Sequence, residues 1–510
     1  MPSTPTNSYC SEKQRPWVLV ATILGSSMAF IDGTVVNVAL PVLQTSLHAT
    51  VVDVQWVIES YGLFLSALIL AGGALGDDLG RRRIFIIGTS LFACASVACG
   101  LSNSIPQLLI ARSFQGVGAA LLVPGSLALI SASFDEESRG RAIGTWSGAT
   151  AITTALGPVF GGWLIARASW HWVFLINAPL ALAVLVISMV FVPESRNPEA
   201  KRIDWIGSLL ATLGLGGVVF GFLEASTAGW RNLHVDASLI AGIAFLVAFV
   251  WFEDRTAEPM MPLRLFHSRN FAGANLLTLL FYAALGIFFF IFPMNLIQVQ
   301  HDSTTVTGAA TLPVIILLSS LSRWSGGLVA KVGPKLPLVA GPAIAAIGFL
   351  MFLLPGEHSS YFRGFFPGFV VLGLGMSITV APLTTVVMTS VDEKRAGTAS
   401  GINNAVSRAA GVLAIAALGP VLVVSFSRAL QNAQLPSNAL AAVRSHVADL
   451  GALQPPSNLD EAAQNAVRAA VAHSFIYAFR WSVLICAGLS LASAGAALAM
   501  ISKPSREAKK

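Results

Sequence analysis

The chain has 510 residues, of which 55% are hydrophobic and only 11% charged, and its mean hydropathy is +0.73. A typical soluble domain carries about 25% charged residues, so there are too few charges here to cover a water-facing surface, and lipid is the solvent for most of the chain. The net charge of +6 sits in short loops between apolar runs, which excludes a nucleic-acid-binding reading and makes the charge a topology signal.

Taken in chain order, a polar cytoplasmic tail (1–16) leads into an apolar run with no small-residue cleavage site, so a retained first span is expected and not a removed signal peptide. Fourteen runs are each long enough to cross ~30 Å of hydrocarbon at ~1.5 Å per residue. They cover 17–38, 54–75, 84–102, 107–131, 142–166, 172–192, 206–226, 236–253, 272–297, 307–329, 336–355, 364–388, 400–426 and 475–500. With both termini inside, 21 Lys and Arg fall in inner loops and segments and 7 in outer ones, which fixes the orientation. Arg112, Arg323 and Arg408 are left within spans. The outer segment 427–473 is read as a solvated spacer or as a short amphipathic helix at the surface, around LDEAAQNAVRAAVAHSF. Cys10, Cys94, Cys99 and Cys486 form no metal or disulfide spacing, and no metal site is expected.

The chain repeats. Gly73, Leu75 and Gly80 recur as Gly326, Leu328 and Gly333, and Gly140, Ala142 and Gly144 recur as Gly397, Ala399 and Gly401. Two related halves around a midplane site are the pattern of an alternating-access secondary transporter. The expected domains are a six-helix bundle at 17–193, two inserted spans with linkers at 194–270, a second six-helix bundle at 271–502 that includes the outer loop, and a cytoplasmic tail at 503–510. Asp77 has no counterpart in the second copy, where Ala330 stands.

Three charged groups reach a similar depth on three spans: Asp32 in SMAFIDGTVVNVALP, Glu59 and Arg112. An unpaired charge there costs at least ~2.5–3.5 kcal/mol, so they are expected to face the interior and pair. One reading is a proton site, poised between desolvation and a neighbouring Arg. The other is a static pair that fixes packing, and for Glu59, near the outer interface, an acid snorkelling to water. In the inner loop, Gly73, Asp77, Gly80, Arg81 and Arg82, with Arg139 and Arg141 of the next inner loop, are read as a gate that latches one conformation, or as a plain positive-inside loop. Gly157-Pro158 with Gly161-Gly162 interrupts the fifth span's hydrogen-bond ladder and offers a smooth packing face.

These stretches resemble the major facilitator superfamily, in particular its fourteen-span drug:proton antiporter branch (the EmrB/QacA type). GALGDDLGRRR (73–83) is similar to the loop 2–3 signature, LLIARSFQGVGAA (108–120) to the fourth-span motif, and GTWSGATAITTALGPVFGG (144–162) to the fifth-span antiporter motif, which begins at Gly144. Thr153 stands where that motif's middle glycine is expected. IDGTVVNVALP (31–41), RIDWIG (202–207) and AGTASGINNAVSRAAG (396–411) resemble the fourteen-span branch. The resemblance implies an all-α polytopic membrane protein with the major facilitator fold, two six-helix bundles plus two extra helices. It also implies proton-driven export of amphipathic or cationic small molecules across the inner (plasma) membrane, with no cofactor. Spans 1, 4, 9 and 12 would line the cavity, with Gln115, Asn275, Phe281, Tyr282, Met294, Asn295, Gln298, Met376 and Thr379 as candidate substrate contacts. The alternative is a dedicated exporter of one endogenous metabolite. The expected partners are small molecules, protons and lipid, with no nucleic acid, and a periplasmic adaptor is an open question. No lysine follows a glycine, no HExxH occurs and no serine has glycine at both −2 and +2, so a primary pump or a membrane enzyme is not expected.

Overall fold

A computed structural model describes residues 11–196, 204–357, 359–391, 395–433, 435, 447–453, 455 and 459–502. Among the described residues, fourteen main helical segments follow one another along the chain. They are α1 (Arg15–Ser46), α2 (Val51–Leu79), α3 (Arg81–Gly100), α4 (Ile105–Ser133), α5 (Glu136–Arg167), α6 (His171–Leu175 and Asn177–Phe191), α7 (Trp205–Ala228) and α8 (Leu233–Arg255). There follow α9 (Arg269–Met294), α10 (Leu312–Gly326), α11 (Lys335–Met351), α12 (Phe366–Thr389), α13 (Ala396–Gln431) and α14 (Glu461–Met500). Thirteen helical stretches are long and apolar enough to cross a membrane, and Lys335–Met351 is a shorter apolar helix. Every backbone group within a span must be satisfied inside the helix, which is why the apolar runs can only be helices.

Helix starts carry the expected chemistry. Thr50 and Asp53 form a reciprocal cap on α2, and Asp135, Asp204, Ser268 and Asp460 each accept from a first-turn amide of the helix that follows. Pro41, Pro124, Pro158, Pro293, Pro342, Pro382 and Pro420 lie inside helices. Tertiary packing holds those helices together past the proline, so α1 runs to Ser46 and not to residue 38.

The loops repeat structurally as the sequence repeats. Gly80 and Gly333 both take positive φ, +116° and +79°, each ending a helix at the same point of its half. The last outer connection differs from expectation. α13 reaches Gln431 and α14 already begins at Glu461, capped by Asp460. Val467, Val471, Ser474, Phe475 and Ala478 are buried along one stripe, so the amphipathic stretch continues α14 into the bundle and is not a separate surface helix.

α1 packs on α5 and α6, α2 and α3 on α4, α9 on α13 and α14, and α12 on α10 and α11. α7 and α8 pack on each other, and α7 also lies against α2 and α13, beside the seam between the halves. That close approach uses glycine: a Cβ on Gly217 would stand 2.8 Å from the Gly242 Cα.

The two halves meet at the end opposite the basic loops. Gln55 donates to the Ile415 carbonyl at 2.9 Å, Gln298 to Gln44 at 2.9 Å, and Gln44 to the Asp449 carbonyl at 2.9 Å. A Cβ on Gly162 would collide with the Thr304 carbonyl, and one on Gly308 with the Pro158 carbonyl. Gly144 and Gly162 are eighteen residues apart, five turns of ~3.6, and so share a face of α5. At Gly162 that face touches the other half, whereas a Cβ on Gly144 or Gly148 would meet nothing within 4 Å. On the α5 side the halves therefore touch at one end and part toward the basic end, whereas α2 and α13 stay close as far as Gly401, where a Cβ would stand 3.2 Å from Leu70 Cδ2.

Candidate functional site

Asp32 sits on α1 with Gly25, Ala29 and Val36, all buried. Arg112 and Gln115 are one helical turn apart on α4 and face it together. Arg112 Nη1 donates to Asp32 Oδ2 at 2.5 Å, and Gln115 Nε2 donates to Asp32 Oδ1 at 2.8 Å. Arg112 Nη1 also donates to Gln115 Oε1 at 2.6 Å, and Arg112 Nε to the Val57 carbonyl at 3.1 Å. Gln115 Nε2 donates further to Ser96 Oγ at 2.8 Å, which accepts from Asn177 Nδ2 at 3.4 Å. The Arg112 guanidinium lies 4.3 Å from the Tyr61 ring centroid and 5.7 Å from that of Phe174. Asp32 and Arg112 are each 1% exposed and Gln115 is 0% exposed. Five helices thus build one closed network in which the only full charges cancel.

Glu59 is also fully buried, yet neither carboxyl oxygen has a hydrogen-bond partner among the described residues. Gln55, four residues before it, reaches α13, and a Cβ on Gly62, three residues after it, would stand 2.7 Å from Val412 Cγ2 of α13. Glu59 therefore lies on the α2 face that meets the other half, apart from the Asp32 pair. All three charges face the interior as expected, but only Asp32 and Arg112 pair.

The basic-end loop is arranged within its own half. Arg81 pairs with Asp77 at 2.7 Å, so Asp77 does not bridge to the other half in this conformation. Glu194, which the sequence reading missed, accepts from the backbone amides of Arg82 and Arg83 at 3.1 and 3.2 Å, and the Arg82 side chain lies 4.0 Å away. It caps the start of α3 where Gly80 leaves no Cβ in the way. Arg141 is exposed, and the side chain of Arg139 lies outside the described residues. Asp135, beside them, pairs with Arg15 at 2.9 Å. Hydrogen bonds from the Ser138 side chain and backbone, with the Arg15 charge, hold its carboxyl down at about 2. In the fifth-span motif, a Cβ on Gly157 would meet Thr34 Oγ1 at 2.6 Å and one on Gly161 would press into Val35, so these two pack α5 on α1. Gly73 lies beside Pro124 of α4.

The candidate substrate contacts are mostly elsewhere. Gln115 belongs to the Asp32 network. Phe281, Met294, Asn295 and Thr379 are at most 2% exposed and Met376 is 9% exposed, so they are packed in the bundle core and not presented to a ligand. Gln298 closes the sealed end through Gln44. Asn275 accepts from Asn403 at 3.2 Å and is buried between α9 and α13. Tyr282, like Gln298, is half-buried. Tyr282 stands within electrostatic reach of Arg408, a residue to which the sequence reading gave no role. The signal was present as an arginine within an apolar span.

The sequence profile described as Major Facilitator Superfamily matches residues 22–415. The chain is 37% identical over 415 residues to the multidrug resistance protein Stp of Mycobacterium tuberculosis, covering 81% of this chain and 77% of that protein. It is 32% identical over 495 residues to the tetracenomycin C resistance and export protein of Streptomyces glaucescens, covering 95% and 91%. Among solved structures, a bacterial homolog of the human lysosomal transporter Spinster, inward-facing and unoccupied, superposes with a TM-score of 0.66 at 18% identity over 97% of this chain and 100% of that one.

Proposed function

This chain belongs to the major facilitator superfamily of multi-pass membrane transporters, and we propose that it is a proton-coupled antiporter exporting amphipathic small molecules, in the manner of the multidrug resistance and export proteins it resembles. In this reading it lies in the plasma membrane with both termini cytoplasmic, a side assignment supported by the 21-to-7 distribution of Lys and Arg. Two six-helix units, 17–193 and 271–502, rock against each other while the helices of 194–270 ride beside the seam. The conformation described here is then inward-facing, sealed outside by the Gly162–Thr304 and Gly308–Pro158 contacts.

The observation that carries the coupling step is the Asp32–Arg112–Gln115 network, closed at 1% exposure in the wall between α1 and α4. Ionised, Asp32 is held by Arg112 and by the Gln115 amide. Protonated, it no longer offsets the Arg112 charge, and the network must rearrange. Proton binding from outside and release inside thereby bias the same helices that bound the cavity. Glu59, buried without a partner on the face toward α13, is the second proton-carrying candidate, because the packing around it accommodates a neutral acid and not a lone carboxylate. Asp77, held by Arg81 in this state, is the latch for the opposite one.

The test is substrate uptake into inverted vesicles under an imposed pH gradient, with a panel of dyes and drugs, comparing the parent protein with Asp32→Asn at equal membrane insertion. Gradient-driven uptake is expected to disappear in Asp32→Asn while substrate binding survives. Normal transport by the variant would move coupling away from Asp32.

A further inference from the structure

Arg408 is an intramembrane cation with no acidic partner among the described residues. It lies twelve residues into α13 and is half-buried. Its Nε donates to Asn404 Oδ1 at 3.1 Å, a neutral acceptor one turn back on its own helix. Its two terminal nitrogens make no hydrogen bond among the described residues, although a guanidinium carries five N–H donors in a planar fork. An arginine at this depth costs at least ~2.5–3.5 kcal/mol to insert, and it is normally paired or set against a water-filled space.

What surrounds it is aromatic: Phe30 and Tyr61 from the opposite half and Tyr282 from its own. The guanidinium carbon is 5.8 Å from the Phe30 ring centroid on α1. Tyr61 of α2 and Tyr282 of α9 stand within electrostatic reach. On α1 the half-buried Phe30 shares its face with exposed Gly33, where a Cβ would meet nothing within 4 Å. Arg408, itself half-buried, thus lies at the seam between the halves, near the open space beside Gly33. Its face there is flanked by rings that can stack on a flat molecule.

Among the described residues no carboxylate answers it. Asp32 is committed to Arg112 and is 1% exposed, and Glu59 is 0% exposed. Among the described residues, the acids near this space are thus turned away from it, and the charge a ligand meets is positive. An organic cation would find no counter-charge and one like charge. A carboxylate would find a free guanidinium edge and accept from it bidentately, and a phenolate or quinone oxygen would accept from the same edge through one atom.

We infer that Arg408 is the electrostatic anchor of the substrate site, and that the substrates it selects are planar aromatic molecules bearing acceptor oxygens, anionic or neutral, in preference to organic cations. This rests on the transporter reading above and narrows its substrate class. It also explains how substrate and proton sense each other. Tyr61 carries the Arg112 guanidinium on its ring, 4.3 Å from the centroid, and lies within reach of Asp32 and Arg408 alike, so one phenol separates the two sites.

The test is equilibrium binding of three probes that share one ring system, 2-naphthoate, 2-naphthamide and 2-naphthylmethyl-trimethylammonium, to the purified full chain in nanodiscs at neutral pH. The parent protein is expected to bind naphthoate about tenfold or more tighter than the ammonium probe, with naphthamide between them. Arg408→Gln is expected to weaken naphthoate about tenfold and to remove the discrimination against the ammonium probe. Arg408→Lys keeps the charge without the fork. It is expected to lose part of the naphthoate affinity and still reject the cation, and it is the variant to read if Arg408→Gln does not fold. Equal or tighter binding of the ammonium probe by the parent protein, absence of naphthoate binding, or indifference of naphthoate to both substitutions would overturn the inference. Vesicle uptake separates the two proposals: loss of gradient-driven transport with the binding order intact defeats the antiporter reading alone, whereas intact transport with an unchanged order in Arg408→Gln defeats this one alone.

Discussion

Arg112 Nη1 lies 2.5 Å from Asp32 Oδ2, between helices whose residues are 80 positions apart in sequence, and each residue is 1% exposed. Removing one member leaves a buried charge unanswered. Asp32→Asn and Arg112→Gln should each lower stability by about 3–5 kcal/mol, and the double variant should lose much less than the sum. Thermal unfolding of the four proteins in one detergent closes the cycle. Additive losses would show that the two charges do not support each other.

The sealed end depends on backbones in contact. Gly162→Ala places a methyl against the Thr304 carbonyl, and Gly144→Ala, on the same face, places it in open space. The first should weaken the sealed conformation by ~1–3 kcal/mol and the second should leave it unchanged. Cysteine cross-linking between residues 44 and 298, whose side chains are joined at 2.9 Å, reads this directly. The yield should fall in Gly162→Ala and hold in Gly144→Ala.

Glu59 offers a cleaner separation of fold from coupling than Asp32. Its carboxyl oxygens have no partner to lose among the described residues, so Glu59→Gln should leave the unfolding temperature within the spread of surface substitutions, about ±0.5 kcal/mol. If Glu59 carries a proton through the cycle, the proton-to-substrate ratio measured from reversal potentials in vesicles should fall. An unchanged ratio would return Glu59 to a structural role.

Asp135 gives a pH signature outside the membrane. Its folded-state value of about 2 lies below the ordinary Asp value of ~3.9. A depressed carboxylate contributes stability that is present above the unfolded value and is lost as pH falls through the folded one. The stability difference between the parent protein and Asp135→Ala should therefore be constant from about pH 5 to pH 8 and shrink toward pH 2. A difference that changes between pH 5 and pH 8 would show that Asp135 is not the titrating group.

Apolar run length was enough to find the fourteen helices, because in lipid a run of this length satisfies its backbone as a helix. Glycine spacing was enough to find the repeat, since Gly80 and Gly333 each end a helix in a conformation other residues avoid. Single motifs also marked Asp32 and Arg112, because a charge inside an apolar run has few places to go.

What the tertiary structure decided is who meets whom. Asp32 could have paired with any cation at its depth, and packing of α1 on α4 gave it Arg112 and Gln115 while leaving Glu59 alone against α13. Phe281, Met376 and Thr379 had the chemistry of ligand contacts and were turned into the core instead, whereas Arg408 was turned toward Phe30 of the other half. The sequence of one helix states its depth and composition, but the rotation of that helix about its own axis is set by the side chains of its neighbours. That rotation separates a substrate contact from a packing residue.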